Sequence, residues 1–176
     1  MVIVRHSRIY LVKIRIIIFL GIFSLYNSVE SLAQTKPVVG TKAPAFTLPD
    51  MQGQPTTLAS FAGQYVLLDF WGHWCNPCIR SFPALKALHL QYPKLALVGI
   101  AAEHAQDKAL WIQAIRGNGA NWLQLSNLDG DEGQVMKDYN ILGFPTYLLL
   151  DRQGNILERT YDLAQIRQRL AALKDL

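Results

Sequence analysis

Cys75 and Cys78 are the two cysteines in a chain of 176 residues. Two thiols at this spacing can form and exchange a disulfide, or they can hold a metal. As a staple the bridge would be weak, since closing so short a loop contributes roughly 2 kcal/mol. A metal site would need more ligands. The histidines are His6, His73, His89 and His104, and their spacing from the cysteines fits no zinc pattern. No metal ligand is assigned, and a redox dithiol, which needs no cofactor, is the chemistry expected.

The flanking sequence supplies elements that could position such a pair. Tyr65 to Phe70 is a near-continuous apolar run between Gly63 and Gly72. It fits a central strand buried on both faces. A helix follows from Pro77 to Gln91, with Pro77 in its first turn and Tyr92-Pro93 as its stop. Its expected apolar face is Phe82, Leu85 and Leu88, widened by Ala84 and Leu90. Cys75 then stands where a strand has ended and a helix begins. Free N–H groups and the positive end of the helix dipole stabilise a thiolate there. Cys75 is the expected nucleophile. Cys78 lies on the same side of the first turn and is expected to be more buried, resolving the mixed disulfide.

Further along, Leu95 to Ala102 reads as a second buried strand and Asp107 to Arg116 as a helix capped by Asp107. Trp122 to Leu125 reads as a short strand, Glu132 to Tyr139 as a short helix, and Thr146 to Leu150 as a strong strand. Ile156 to Thr160 completes a hairpin, and Asp162 caps a helix from Leu163 to Leu173. Upstream, Phe46-Thr47-Leu48 and Thr56-Thr57-Leu58 flank a turn, which predicts a separate hairpin. The pattern is α/β, a mixed central sheet flanked by helices with an N-terminal hairpin extension.

Residues 1–33 carry the layout of a signal peptide. Arg5, Arg8, Lys13 and Arg15 precede an apolar run from Ile16 to Tyr26, and Ser31-Leu32-Ala33 offers a cleavage site. The alternative is a retained membrane anchor, although the run is shorter than the roughly 20 residues a spanning helix needs. Residues 34–39 are expected to be a flexible lead-in, and 40–176 one domain. Hydrophobic residues make up 51% of the chain and charged residues 17%, as in a packed domain. The formal net charge of +4 is mostly the leader's, because the remainder holds 13 basic and 12 acidic residues. The basic balance is no argument for nucleic-acid binding.

Phe70-Trp71-Gly72-His73-Trp74-Cys75-Asn76-Pro77-Cys78 and Gly143-Phe144-Pro145-Thr146 both resemble signatures of thioredoxin-like proteins of the TlpA/ResA type. So does Gly40 to Leu58, and the resemblance runs from Val39 to the C-terminus. It implies a thioredoxin-like fold and thiol–disulfide exchange with proteins. It also implies that Pro145 is cis and faces the dithiol, and that Asp69 exchanges protons with Cys78. Trp74, Phe144 and Pro145 are the implied substrate-binding residues. Trp71 and Trp74 are candidates for an apolar rim, with core packing as the alternative for each. His73 is read as a solvated turn residue. Ser81 stands where relatives serving cytochrome maturation often have Glu, which weakens that specific role.

The function expected is an exported, most simply periplasmic, thiol–disulfide oxidoreductase acting in the reducing direction. Its partners would be protein thiols or disulfides and an upstream redox partner, with a membrane-bound one allowed. The competing readings are a thiol peroxidase-like enzyme and a non-catalytic thioredoxin-fold binding module or metal carrier. The peroxidase reading suffers because the run from Tyr65 to Trp74 before Cys75 holds neither the Pro nor the Thr that it would need.

Overall fold

The computed structural model describes residues 37–174 and 176. The leader expected over 1–33, and 34–36 of the lead-in, lie outside the described residues. Seven strands are present: β1 (Thr47–Pro49), β2 (Pro55–Thr57), β3 (Tyr65–Trp71), β4 (Leu95–Ala101), β5 (Leu123–Leu125), β6 (Thr146–Leu150) and β7 (Ile156–Thr160). The helices are α1 (Asn76–Gln91), α2 (Lys108–Gly117), α3 (Gln134–Asp138) and α4 (Leu163–Ala171). Single 3-10 turns cover Leu58–Phe61 and Ala105–Asp107.

The main sheet has the order β5-β4-β3-β6-β7. β3, β4 and β5 run parallel, while β6 pairs antiparallel with β3 and with β7. This is the mixed sheet that the strand pattern predicts, and it is thioredoxin-like. β3 is central because it can be buried on both faces. Val66, Leu68 and Phe70 face one side, and Leu67, Asp69 and Trp71 face the other. Over the second face pack Cys78, Phe82, Leu85 and Leu88 of α1, Trp111 and Ile115 of α2, and Ile166 and Leu170 of α4. The first face is covered by Val135 and Met136 of α3, by Tyr139, and by Phe46 and Leu48.

β1 and β2 form a separate antiparallel hairpin. Its turn is built on Asp50, whose carboxylate accepts from the backbone N–H groups of Gln52 and Gln54 at 2.8 Å each. The Ser126 N–H bonds to the Pro49 carbonyl at 3.1 Å, so the hairpin docks on the β5 edge of the main sheet. The strands sit one residue away from the expected positions, because Leu58 begins a 3-10 turn instead of extending β2.

Three local expectations are corrected. Leu90 is 70% exposed and lies off the buried face of α1, because 3.6-residue periodicity carries it around the helix from Leu88. Asp107 precedes α2, but its side chain makes no capping bond there. α2 runs on through Gly117 to a cap at Asn118. At α4 the expected cap is present, with the Asp162 carboxylate accepting from the Ala164 N–H at 2.8 Å.

The segment leading to Pro145 is fixed from β7. The Arg159 guanidinium donates to the carbonyls of Tyr139 and Asn140, at 2.6 Å each. Tyr139 in turn donates its hydroxyl to the Pro44 carbonyl at 2.6 Å. One cation thus ties together the end of α3, the start of the proline loop and strand β7.

Candidate active site

β3 ends at Trp71, and the chain turns through Gly72 and His73 into α1. Cys75 is the residue that caps this helix, with Pro77 in the first turn, where its missing N–H is no loss. The Cys75 sulfur accepts from the Cys78 N–H at 3.2 Å. A helix-terminal donor therefore points at sulfur, the arrangement that favours a thiolate. The two cysteines are joined as a disulfide, with Cα atoms 5.3 Å apart. Cys75 is 5% exposed and Cys78 fully buried, so Cys75 is more covered than a freely exposed nucleophile would be.

Trp74 lies over Gly72. A Cβ at that glycine would come within 2.7 Å of the indole, so the position has no room for a side chain. The same indole meets Phe144 edge-on, with centroids 5.2 Å apart. That contact brings the loop carrying Pro145 against the dithiol loop. The Phe144–Pro145 peptide bond is cis, and Thr146 donates its hydroxyl to the Gly143 carbonyl at 2.6 Å, closing the turn into β6. Trp74 is 49% exposed whereas Trp71 is fully buried, which separates the two candidates for an apolar rim.

Asp69 sits on the face of β3 that supports α1 and is 1% exposed. Its register neighbours are Gly99 on β4 and Tyr147 on β6, and neither carries a positive charge. Burial pushes its pKa up to about 8 from 3.8. The Tyr147 hydroxyl is likewise pushed upward, first by burial and then by the nearby Asp69 charge. The carboxyl is thus poised to exchange a proton near neutral pH.

His73 is not a freely solvated turn residue. Its N–H donates to Glu103 Oε1 at 2.6 Å, and its Nδ1 lies 2.5 Å from Glu103 Oε2. Glu103 is buried just beyond β4, and its own carbonyl accepts from the Gly130 N–H at 2.9 Å. One carboxylate therefore grips both the backbone and the side chain of the residue two before Cys75. The sequence reading missed Glu103. The available signal was an acid directly following the apolar run Leu95 to Ala102, at the strand end where β3 also finishes.

A disulfide at a helix start, above a buried acid and beside a cis-proline loop, places the protein among the thioredoxin-like thiol–disulfide oxidoreductases. More narrowly, it belongs to the AhpC/TSA family, whose model matches residues 39–159. The thiol-disulfide oxidoreductase ResA of Geobacillus thermodenitrificans is 31% identical over 144 residues, covering 80% of this chain and 81% of the relative. A solved thiol-disulfide oxidoreductase from Bacteroides fragilis matches with a TM-score of 0.68 at 32% identity, over 76% of this chain and 100% of that one. The thioredoxin domain of a thiol-disulfide oxidoreductase from Bacteroides vulgatus matches with a TM-score of 0.66 at 29% identity, over 76% of this chain and 97% of that one.

The Glu103 clamp has a measurable consequence. Glu103→Ala leaves the part-buried N–H of His73 without its acceptor, which should cost about 1 kcal/mol in a denaturant titration. Glu103→Gln keeps one acceptor oxygen and should lose less. Equal midpoints for the parent and Glu103→Ala would show that the clamp carries no stability.

Proposed function

We propose that the protein is an exported disulfide reductase in which Cys75 attacks, Cys78 resolves and Asp69 takes the proton of Cys78. The observation that carries the reading is the dithiol at the start of α1 with an uncompensated buried carboxyl on the sheet beneath it. In the first step the Cys75 thiolate attacks a substrate disulfide. A mixed disulfide forms and one substrate thiolate leaves. Asp69, in its ionised form, then accepts the Cys78 proton, and the Cys78 thiolate attacks the Cys75 sulfur. The second substrate thiol is released, and the protein is left oxidised, as Cys75–Cys78. An upstream thiol donor must reduce it again.

The direction is supported by charge. A dithiol becomes an oxidant when its reduced, thiolate form is strongly stabilised. Here the helix start favours the thiolate, but the buried carboxyl of Glu103 opposes further negative charge nearby, and it engages the imidazole of His73. The balance favours the disulfide in the protein and hence reduction of the substrate. Protein substrates are supported by the exposed apolar surface beside the disulfide. Trp74 and Leu142, the latter 78% exposed, flank the half-buried Phe144 and Pro145. These are the residues proposed to hold the substrate chain.

The test is a variant pair with a redox titration. Cys78→Ser should accumulate mixed disulfides with protein substrates, and Cys75→Ser should neither trap nor turn over. The Cys75–Cys78 couple should titrate close to thioredoxin, roughly −270 mV, rather than near −120 mV as in a strong oxidant. Trapping by Cys75→Ser instead would reverse the two roles, and a value near the oxidant's would reverse the direction.

Asp69→Asn should slow release from the mixed disulfide several-fold near pH 7, because Cys78 loses its proton acceptor. It should also change stability in a definite direction. The unfolded carboxyl ionises near pH 4, while the folded one holds its proton to about pH 8. Between these values the native state binds more protons than the unfolded state, so the parent loses stability as pH rises. The stability advantage of Asp69→Asn should therefore grow from about pH 4 to about pH 8 and then level off. Parallel stability curves across that range would remove the buried-acid argument.

Export rests on residues 1–33. Among the described residues no helix is long and apolar enough to cross a membrane. Protein purified from its native source should begin at Gln34 by mass spectrometry. Soluble native protein retaining Met1 would exclude the cleaved leader.

A further inference from the structure

Asp69, Gly99 and Gln124 lie in register across β3, β4 and β5, and Tyr147 lies opposite Asp69 on β6. Register partners share a sheet face, so these positions form one row beneath α1. Asp69, Gln124 and Tyr147 are each 1% exposed. The rest of this face is apolar or aromatic, with Leu67, Trp71, Leu97 and Leu149 around the row. A polar row in such surroundings is costly unless its members are paired.

Gln124 does not stay over its own strand. Its Oε1 accepts from Trp71 Nε1 at 3.0 Å, and Trp71 belongs to β3, two strands away. A Cβ on Gly99 would come within 2.1 Å of that same oxygen. The carboxamide therefore crosses β4 through the space that the glycine leaves. Adjacent strands stand about 4.8 Å apart, so the amide ends roughly one strand spacing from the Asp69 side chain. The amide makes no direct bond to the Asp69 carboxyl, and a separation of about one strand spacing suits one bridging water.

The donors and acceptors match. Trp71 occupies Oε1 of Gln124, which leaves Nε2 as the free end. Nε2 is buried without a hydrogen-bond partner among the described residues, and so are both oxygens of Asp69. Buried polar groups in folded proteins are nearly always satisfied, by protein or by water. A donor and a carboxyl on one face, one strand spacing apart, provide the two to four polar contacts that hold an internal water. We propose that Gln124 is a positioning residue for the redox centre: its carboxamide, folded over Gly99, binds a water molecule that bridges Nε2 to the Asp69 carboxylate beneath Cys78.

The bridge would favour the ionised carboxyl, since a donor to a charged group stabilises the charge. Among the described residues no cation acts on Asp69. Tyr147 of β6 lies opposite Asp69 and feels its charge, while Ser81 of α1 and Asp162 from the start of α4 act on Tyr147. β4 contributes bare Gly99, while α2 and α4 contribute Trp111, Ile115, Ile166 and Leu170. Gln124 is thus the neutral donor that makes ionisation of Asp69 attainable, and its importance for turnover rests on Asp69 receiving the Cys78 proton.

The experiment reads Asp69 directly. The 13C-labelled carboxyl of Asp69 is followed by NMR against pH in the oxidised full-domain protein, in Gln124→Met and in Gln124→Asn. Methionine keeps the length and removes the donor, whereas asparagine keeps the donor but cannot span β4. Both should raise the Asp69 midpoint, by about one pH unit. Stability is no readout here, because either change also strips Trp71 Nε1 of its acceptor. An unchanged or lowered midpoint in either folded variant overturns the proposal. The outcome is separate from the catalytic reading. If Asp69→Asn releases substrate at the parent rate while the Gln124 variants still raise the midpoint, the proton-acceptor role falls and the bridge stands.

Discussion

A helix start leaves backbone donors that must be satisfied, and here one of them is satisfied by sulfur. The bond from the Cys78 N–H to the Cys75 sulfur makes Cys75, the proposed nucleophile, the cap of α1. Much else follows from that position. β3 must end at Trp71 so that the helix can be capped four residues on. Gly72 must lack a side chain so that Trp74 can fold back over it. His73 must be held, or the loop between strand and helix would be free to move the sulfur away from the donors. Glu103 holds it from β4, the parallel neighbour of β3, so the sheet itself sets the geometry of the cap.

The electrostatics oppose this local preference for negative charge. Asp69 is buried on the supporting face with a glycine and a tyrosine as strand neighbours, and it is held largely neutral up to mild alkaline pH. A neutral acid buried on this face differs from a fixed charge, because it can release its proton and, once ionised, take one up. The site therefore combines a fixed, weak stabilisation of the thiolate from the helix with a movable proton from the sheet. The two components reside on different elements, α1 and β3, so the second can change without disturbing the first.

The dithiol, its helix and the central strands were legible in the sequence because each leaves a local signature. Cys75 and Cys78 are adjacent on one turn, Pro77 marks the helix start, and Tyr65 to Phe70 and Thr146 to Leu150 are apolar runs that admit one reading. The supporting residues were not legible. Glu103 reaches His73 across 30 residues of sequence and Gln124 reaches Trp71 across 53, and neither partner announces the other. The missed details of α1 and α2 have a different origin. Leu90 is apolar but falls outside the buried arc, and the Asp107 side chain leaves the helix donors uncapped although its type suits a cap. Residue type fixes what a side chain can do, and tertiary packing decides whether it does so.

The four tryptophans are distributed unevenly. Trp71, Trp111 and Trp122 are no more than 4% exposed, while Trp74 is 49% exposed and stands directly before Cys75. Buried indoles emit at shorter wavelengths than solvated ones, so the red edge of the protein's fluorescence belongs to one side chain. The molecule thus carries a built-in optical probe beside its disulfide, and the docking proposed against Trp74 and Phe144 can be watched without attaching a label.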